Sequence, residues 1–344
     1  MALTTPISVL DLVHVTEGAT LDDALKASME LAQLADSLGF HRLWYAEHHN
    51  TPELGSSATA ILIARAAELT QRIRVGAGGI MLPNHAPLHV AEAFGTLARF
   101  FPGRVDLGLG RAPGTDSVTA RVLGRSGDDP GSFSRNVRDL AGWFSDSGVA
   151  DSQPIRGGIA TATHVPMWIL GSSVEGARVA AQLGLPFVVA SHFAPDDLPR
   201  VLQVYRGQFD ASAPTAQVSR PYVMAGINVM IAPTDAEAER LWTTAQQMIY
   251  DVRSGHRRKL QPPVAPELMP AHVRAFADAT FRVRAVGSPA TACQALREFV
   301  QFTGADELIA MTYAYDPADR QRSLRLLAEA WFSHPLDCSQ KVPT

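Results

Sequence analysis

"RIRVGAGGIMLPNHAPLHVAEAF", residues 72–94, changes its period halfway. Residues 73–82 form an apolar run of strand length, and 87–101 a stretch of helical period. The same pairing recurs on either side. Towards the N-terminus, strands are expected at 7–15 and 41–47, with helices at 21–40 and 56–70. Thr20 is placed to cap the first helix and Gly39 to stop it. Towards the C-terminus, strands are expected at 104–110, 166–172, 186–191, 220–232 and 307–315. Between and after them lie helices at 132–146, 173–184, 196–209, 235–252, 289–302 and 318–332. Apolar strands separated by helices imply parallel pairing with both faces covered. Eight such strands in 344 residues imply a (β/α)8 TIM barrel with insertions. A doubly wound sheet would usually divide so many units between two domains. No linker divides this chain, so a single domain over 1–344 is expected. Two segments, 147–165 and 253–286, stand outside the alternation. The second is long, basic and proline-rich, and reads as a lid or insertion segment.

The composition is 46% hydrophobic and 19% charged, which supplies a sizeable core. A net charge of −4 gives no general reason to bind nucleic acid or a membrane surface. Cys293 and Cys338, without CxxC spacing, suggest neither a disulfide scaffold nor a zinc site and fit a reducing compartment. The start "MALTTPISVLDLVHV" lacks the features of a signal peptide. No apolar run reaches the ~18 residues that span a bilayer. A soluble cytoplasmic protein is expected.

In a barrel the active site lies at the carboxyl ends of the strands. Those ends carry Glu47-His48-His49-Asn50, then Asn84 and His85, then Arg111 and Asp116, then Ser172 and Ser173, then His192. Three of the five carry histidine. Adjacent strand residues point to opposite faces, so His48 and His49 are not expected to share a metal, and the H-E-x-x-H spacing is absent. A mixed metal site of His48, His85 and His192 is one reading; proton transfer by a single neutral histidine is the other. His49 is expected to pack against neighbouring helices, hydrogen-bonded and inert. "GLGRAPG" (108–114) is not a dinucleotide loop, because Pro113 stands where the last glycine belongs. Arg111 instead suits a phosphate, and "GSSVEGA" (171–177) adds a helix N-terminus with two hydroxyls. Either phosphate binding or ordinary N-capping explains Ser172 and Ser173. Glycines at 76, 78 and 79 mark tight packing or the close approach of a planar ligand.

Taken together, "LWYAEHHN", "RIRVGAGGIMLPNHAPLHVAEAF", "GRVDLGLGRAPGTD", "GSSVEGARVAAQLGLPF" and the late "VGSP…GADELI" resemble the bacterial luciferase-like flavin-dependent monooxygenases, and within them the alkanal-monooxygenase-like subgroup. The resemblance implies a (β/α)8 barrel binding reduced FMN or, in one branch, deazaflavin F420. It implies His48 as the catalytic histidine, and Arg111, Ser173 and the adjacent Ser172 as the phosphate site. His192, at the sixth strand end, joins these as a cofactor-binding candidate. The resemblance also implies a non-proline cis peptide at Gly78-Gly79. The activity implied is oxygenation of a small-molecule substrate by O2 through a C4a-peroxyflavin. That is an enzyme acting on paired donors with incorporation of O2, with no resident metal. No nicotinamide loop is evident, so a separate NAD(P)H-dependent flavin reductase is expected to supply reduced FMN. A homodimer through the early helices is expected. The late loop departs from true luciferases, so light emission and a long-chain aldehyde are not implied. F420-dependent hydride transfer and flavin binding without turnover are the rival readings.

Overall fold

The computed structural model describes residues 5–112, 114–124 and 131–332; Pro113 and Cys338 lie outside them. Nine strands are present among the described residues: β1 (Ile7–Asp11), β2 (Arg42–Tyr45), β3 (Arg74–Met81), β4 (Val105–Gly110), β5 (Met167–Gly171), β6 (Phe187–Val189), β7 (Val223–Ile231), β8 (Arg284–Gly287) and β9 (Glu307–Met311). All pairings between them are parallel. The order runs β6-β5-β4-β3-β2-β1-β9-β7, and β6 pairs with β7 to close an eight-stranded barrel.

Helices cover the outside: α1 (Leu21–Leu38), α2 (Thr59–Leu69), α3 (Pro87–Phe100), α4 (Ser117–Val122), α5 (Ser132–Phe144), α6 (Val174–Gln182), α7 (Leu198–Gly207), α8 (Asp235–Arg253), α9 (Ala271–Thr280), α10 (Pro289–Thr303) and α11 (Pro317–Phe332). The first helix begins where the sequence places it. The Thr20 hydroxyl accepts from the Asp23 N–H, and Asp23 answers at the Thr20 N–H, which closes a capping box. Gly39 ends it in the left-handed region at φ 83°.

Two elements add to the expected alternation. The segment 253–286 is not irregular throughout: it holds α9 and leads into β8. The cause is the length of β7. Its first half pairs with β9 as barrel wall, and its last four residues, Asn228–Ile231, run on and pair with Arg284–Gly287. The "RAVG" strand is four residues long and follows a basic, proline-rich stretch, so it leaves little periodic signal. The other addition is α4, a six-residue helix that starts on an Asp116 cap.

The floor of the barrel is a buried ion network. Arg42 Nη1 bonds Asp106 Oδ2 at 2.6 Å and Arg42 Nε bonds Glu307 Oε1 at 3.0 Å. Arg74 also pairs with Asp106, and the Ser8 hydroxyl and Tyr222 hydroxyl donate to Glu307. These residues sit at or near the N-terminal ends of β1, β2, β3, β4 and β9, or just before β7. Buried charge is tolerated only when paired and hydrogen-bonded. Here it is, and the floor is sealed. The barrel therefore opens at its carboxyl end.

Candidate active site

One cavity of about 1620 Å³ occupies that end. Of the strand-end residues singled out in the sequence, His48, His85, Arg111, Ser172, Ser173 and His192 line it, as does Gly78, whereas Glu47, His49, Asn50, Asn84 and Asp116 do not. Gly79 does not line it. A side chain at Gly79 would press on the Gly108 carbonyl at 2.7 Å, and one at Gly78 would press on Leu10 and Trp44. The peptide joining the two glycines is cis, as expected. The strand shifts register against β4 between Ala77 and Ile80.

The Glu47-His48-His49 run divides in an unexpected way. Strand β2 ends at Tyr45, so strand alternation does not govern it. The His48 backbone is pinned instead by its N–H on the Ser56 carbonyl (3.1 Å) and by the Ser57 hydroxyl on its carbonyl (2.9 Å). The imidazole turns into the cavity with Nδ1 buried and unpartnered. Burial, offset in part by Glu47 and aided by His49 and Arg257, lowers its pKa, so the ring is neutral near pH 7.

His49 does not reach the helix layer. It lies under the loop after β4, where its carbonyl accepts from the Thr115 hydroxyl at 3.0 Å. Its Nε2 bonds Glu47 Oε1 at 2.8 Å, and His85 Nε2 bonds the same oxygen at 2.8 Å. Met81 N–H donates to the second oxygen at 3.2 Å. Burial would raise the Glu47 pKa, but the His85 bond and charge, with His49 and Met81, hold it below the usual carboxylate value. Glu47 thus orients two imidazoles.

The metal-site reading changes accordingly. The trio His48, His85 and His192 does not form a ligand cluster among the described residues; Glu47, His49 and His85 do, with ligand atoms within 4.8 Å of one another. The two imidazole bonds already occupy the shared carboxylate oxygen.

At the other side of the mouth, Arg111 is exposed and makes no hydrogen bond or ion pair among the described residues. Ser173 is the N-cap of α6, its hydroxyl accepting from Gly176 N–H at 3.2 Å. The capping role is therefore realised, and it aims the first turn of a nine-residue helix at the cavity beside Ser172 and Arg111. His192 follows β6 and is packed against β7. A side chain at Gly226 would overlap its Nδ1, and that atom has no partner. Burial pushes its pKa down to about 4.

The sequence reading missed His14, which also lines the cavity. Reading the first strand as 7–15 hid it inside a strand. Strand β1 stops at Asp11, which leaves His14 at the mouth like the other strand-end residues.

A family model described as luciferase-like monooxygenase matches residues 5–307. The chain is 40% identical over 328 residues to a protein of Escherichia coli (strain K12) named luciferase-like monooxygenase, covering 94% of this chain and 96% of that one. Among solved structures, apo-MsnO8 superposes with a TM-score of 0.85 at 35% identity, over 96% of this chain and all of that one. Two others share the fold alone. One is the oxygenating constituent of 3,6-diketocamphane monooxygenase from Pseudomonas putida in complex with FMN (TM-score 0.71, 17% identity, 97% and 99% covered). The second is an F420-dependent secondary alcohol dehydrogenase (TM-score 0.64, 16% identity, 94% and 99% covered).

Proposed function

For a chain that belongs to the luciferase-like monooxygenase family, we propose a reaction in which reduced FMN and O2 oxygenate a small organic substrate in the mouth cavity. One observation carries the reading: a neutral, unpartnered imidazole (His48) shares a cavity with an unpaired guanidinium (Arg111) and the N-terminus of α6. The residues fit the cofactor. Arg111, Ser172 and the first N–H groups of α6 would hold its phosphate. Gly78 lines the same cavity, where a flat ring system would lie against its backbone. When bound, reduced FMN supplies the electrons that activate O2. His48 then accepts or donates one proton at Nδ1, the atom its surroundings leave without a partner. The walls exclude water, and the segment after α8, whose Gly255, Arg257, Arg258 and Leu260 line the cavity, serves as the lid.

In this reading the reductant comes from a separate NAD(P)H-dependent flavin reductase. The chain works as a homodimer through its early helices, where Ile61 of α2 stands exposed. No helix among the described residues is long and apolar enough to cross a membrane.

The experiment is an anaerobic titration with photoreduced FMN and, in parallel, reduced F420, followed by admission of O2. FMN is expected to bind, and peroxide release is expected to be slower than from free reduced FMN. Binding of F420 but not FMN would transfer the assignment to F420-dependent hydride transfer. Tight FMN binding with peroxide release as fast as in solution would leave a flavin-binding protein without oxygenase function.

A further inference from the structure

The cavity has a side that the cofactor reading does not use. It is built from the exits of β1 and β9 and from Leu260. His14 stands at its centre, and its backbone is fixed from two directions. It forms an antiparallel bridge with Leu54, flanked by Gly55 N–H to Val13 carbonyl and Val15 N–H to Glu53 carbonyl, both 2.9 Å. From the other side Leu260 N–H donates to the Val15 carbonyl at 3.0 Å. The ring meets Tyr313 edge-on, with centroids 5.1 Å apart and planes at 71°. Tyr313 is itself stacked on Phe281 at 5.6 Å and 14°. A ring braced in this way has little freedom to seek a partner, and no described residue hydrogen-bonds its nitrogens. Leu10, Leu12, Leu260 and Met311 supply the apolar surroundings.

We propose that His14 is the substrate-reading residue of this cavity, and that the substrate it selects is a largely apolar molecule carrying one uncharged hydrogen-bonding group. The proposal rests on the reading of the cavity as an oxygenation chamber and names what enters it. A neutral imidazole offers one N–H donor and one nitrogen acceptor, which is what a hydroxyl, carbonyl or amide needs. Burial, with the Arg320 charge, pushes the His14 pKa down to about 3, so the ring stays neutral over the physiological range. Arg320 is already paired with Asp11 at 2.9 Å, so it offers no net charge to a ligand. A charged head group beside His14 would leave water for the apolar surroundings of Leu10, Leu12, Leu260 and Met311. Glu53, whose Oε2 is unpartnered, lines the rim of the same cavity. Arg257, which has no carboxylate partner among the described residues, lines it too, so ions of either sign are the contrary cases.

The test is calorimetric titration of the protein with three eight-carbon probes that differ only in head group: 1-octanol, octanoate and octylammonium. Octanol is expected to bind at least tenfold more tightly than either ion. His14→Phe keeps the aromatic contact with Tyr313 and removes both nitrogens. It should weaken octanol about fivefold, the loss of one neutral hydrogen bond, and leave the ions unmoved. His14→Gln, which retains a donor and an acceptor, should keep most of the preference. Three outcomes overturn the proposal: octanol does not bind, either ion matches it, or His14→Phe weakens all three probes alike. Should His14→Phe fail to fold, the head-group ranking and His14→Gln still decide. Binding of reduced FMN is measured separately, so its failure would count against the oxygenase reading and not against the octanol preference.

Discussion

His192 should make the protein acid-sensitive in a window set by its own chemistry. Its ring is packed against Gly226 with an unpartnered Nδ1, and its pKa falls from 6.5 to about 4. The unfolded chain takes up a proton as pH drops through 6.5, whereas the folded chain does not until about 4. Protons bound only by the unfolded state favour unfolding. The stability contributed by the neutral ring is therefore complete above pH 6.5, erodes as pH falls, and stops eroding below 4. With those two values, lowering the pH from about 7 to about 5 costs about 2 kcal/mol from this residue alone. His192→Gln removes the titration without adding a charge. Urea unfolding at both pH values, wild type beside variant, isolates the effect because all other groups are common to the two chains. The wild type should lose about 2 kcal/mol more than the variant. If the two lose the same free energy, the ring is hydrated and its environment is not the dry one inferred.

Arg111→Ala should weaken FMN about tenfold, the lower end for a charged hydrogen bond at an exposed site, and leave riboflavin unchanged; equal losses in fluorescence titrations would mean a structural role. His48→Ala should slow substrate oxygenation by about 10²–10⁴-fold while the dissociation constant for reduced FMN moves little. His49→Ala should do the reverse, lowering the unfolding free energy by about 1–3 kcal/mol through loss of its bond to buried Glu47 and sparing turnover per folded molecule. Gly226→Ala should destabilise by about 1–3 kcal/mol in the same urea assay, because the added methyl overlaps the His192 ring; a neutral result would place that ring elsewhere.

Much of the fold was legible because parallel strands covered on both faces leave unbroken apolar runs. The runs at 73–82 and 104–110 fall within a residue or two of β3 and β4. What escaped has a physical reason in each case. The β8 strand owes its existence to the overhang of β7, a tertiary fact that four residues of sequence cannot announce. His14 escaped because "ISVLDLVHV" stays apolar past the true end of β1; the chain leaves the sheet at Asp11, which turns to bond Ser28 at 2.6 Å and Arg320. The His48 and His49 assignment reached the right cavity residue by the wrong route. Both lie beyond β2, and the hydrogen bonds of Ser56, Ser57 and Thr115 aim them, not the pleat of a strand. The α6 cap was readable because serine before a helix is a common N-cap, and Arg111 because an arginine at a strand end stands out.

The buried carboxylates at the barrel floor are fully paired, whereas several buried polar groups that line the mouth are not, and that contrast bears on function. At the floor, the Asp106 and Glu307 carboxylates bond Arg42, with Arg74, Trp44, Tyr222 and Ser8 completing the set. The chain can thus pair buried charge fully when stability alone is at stake. At the mouth, His48 and His192 each bury an Nδ1 without a partner, and Thr51 and Glu53 each bury an unpartnered oxygen. An unsatisfied buried group costs about 1–3 kcal/mol. Four of them round one cavity would be removed by replacement with apolar residues if nothing ever met them. A ligand that supplies the missing donors and acceptors turns each of those costs into binding free energy. Local departures from good packing are expected where a site requires them. The unpartnered groups at the mouth are two imidazole nitrogens, a hydroxyl and a carboxylate oxygen, and cofactor and substrate together can meet them with matching donors and acceptors.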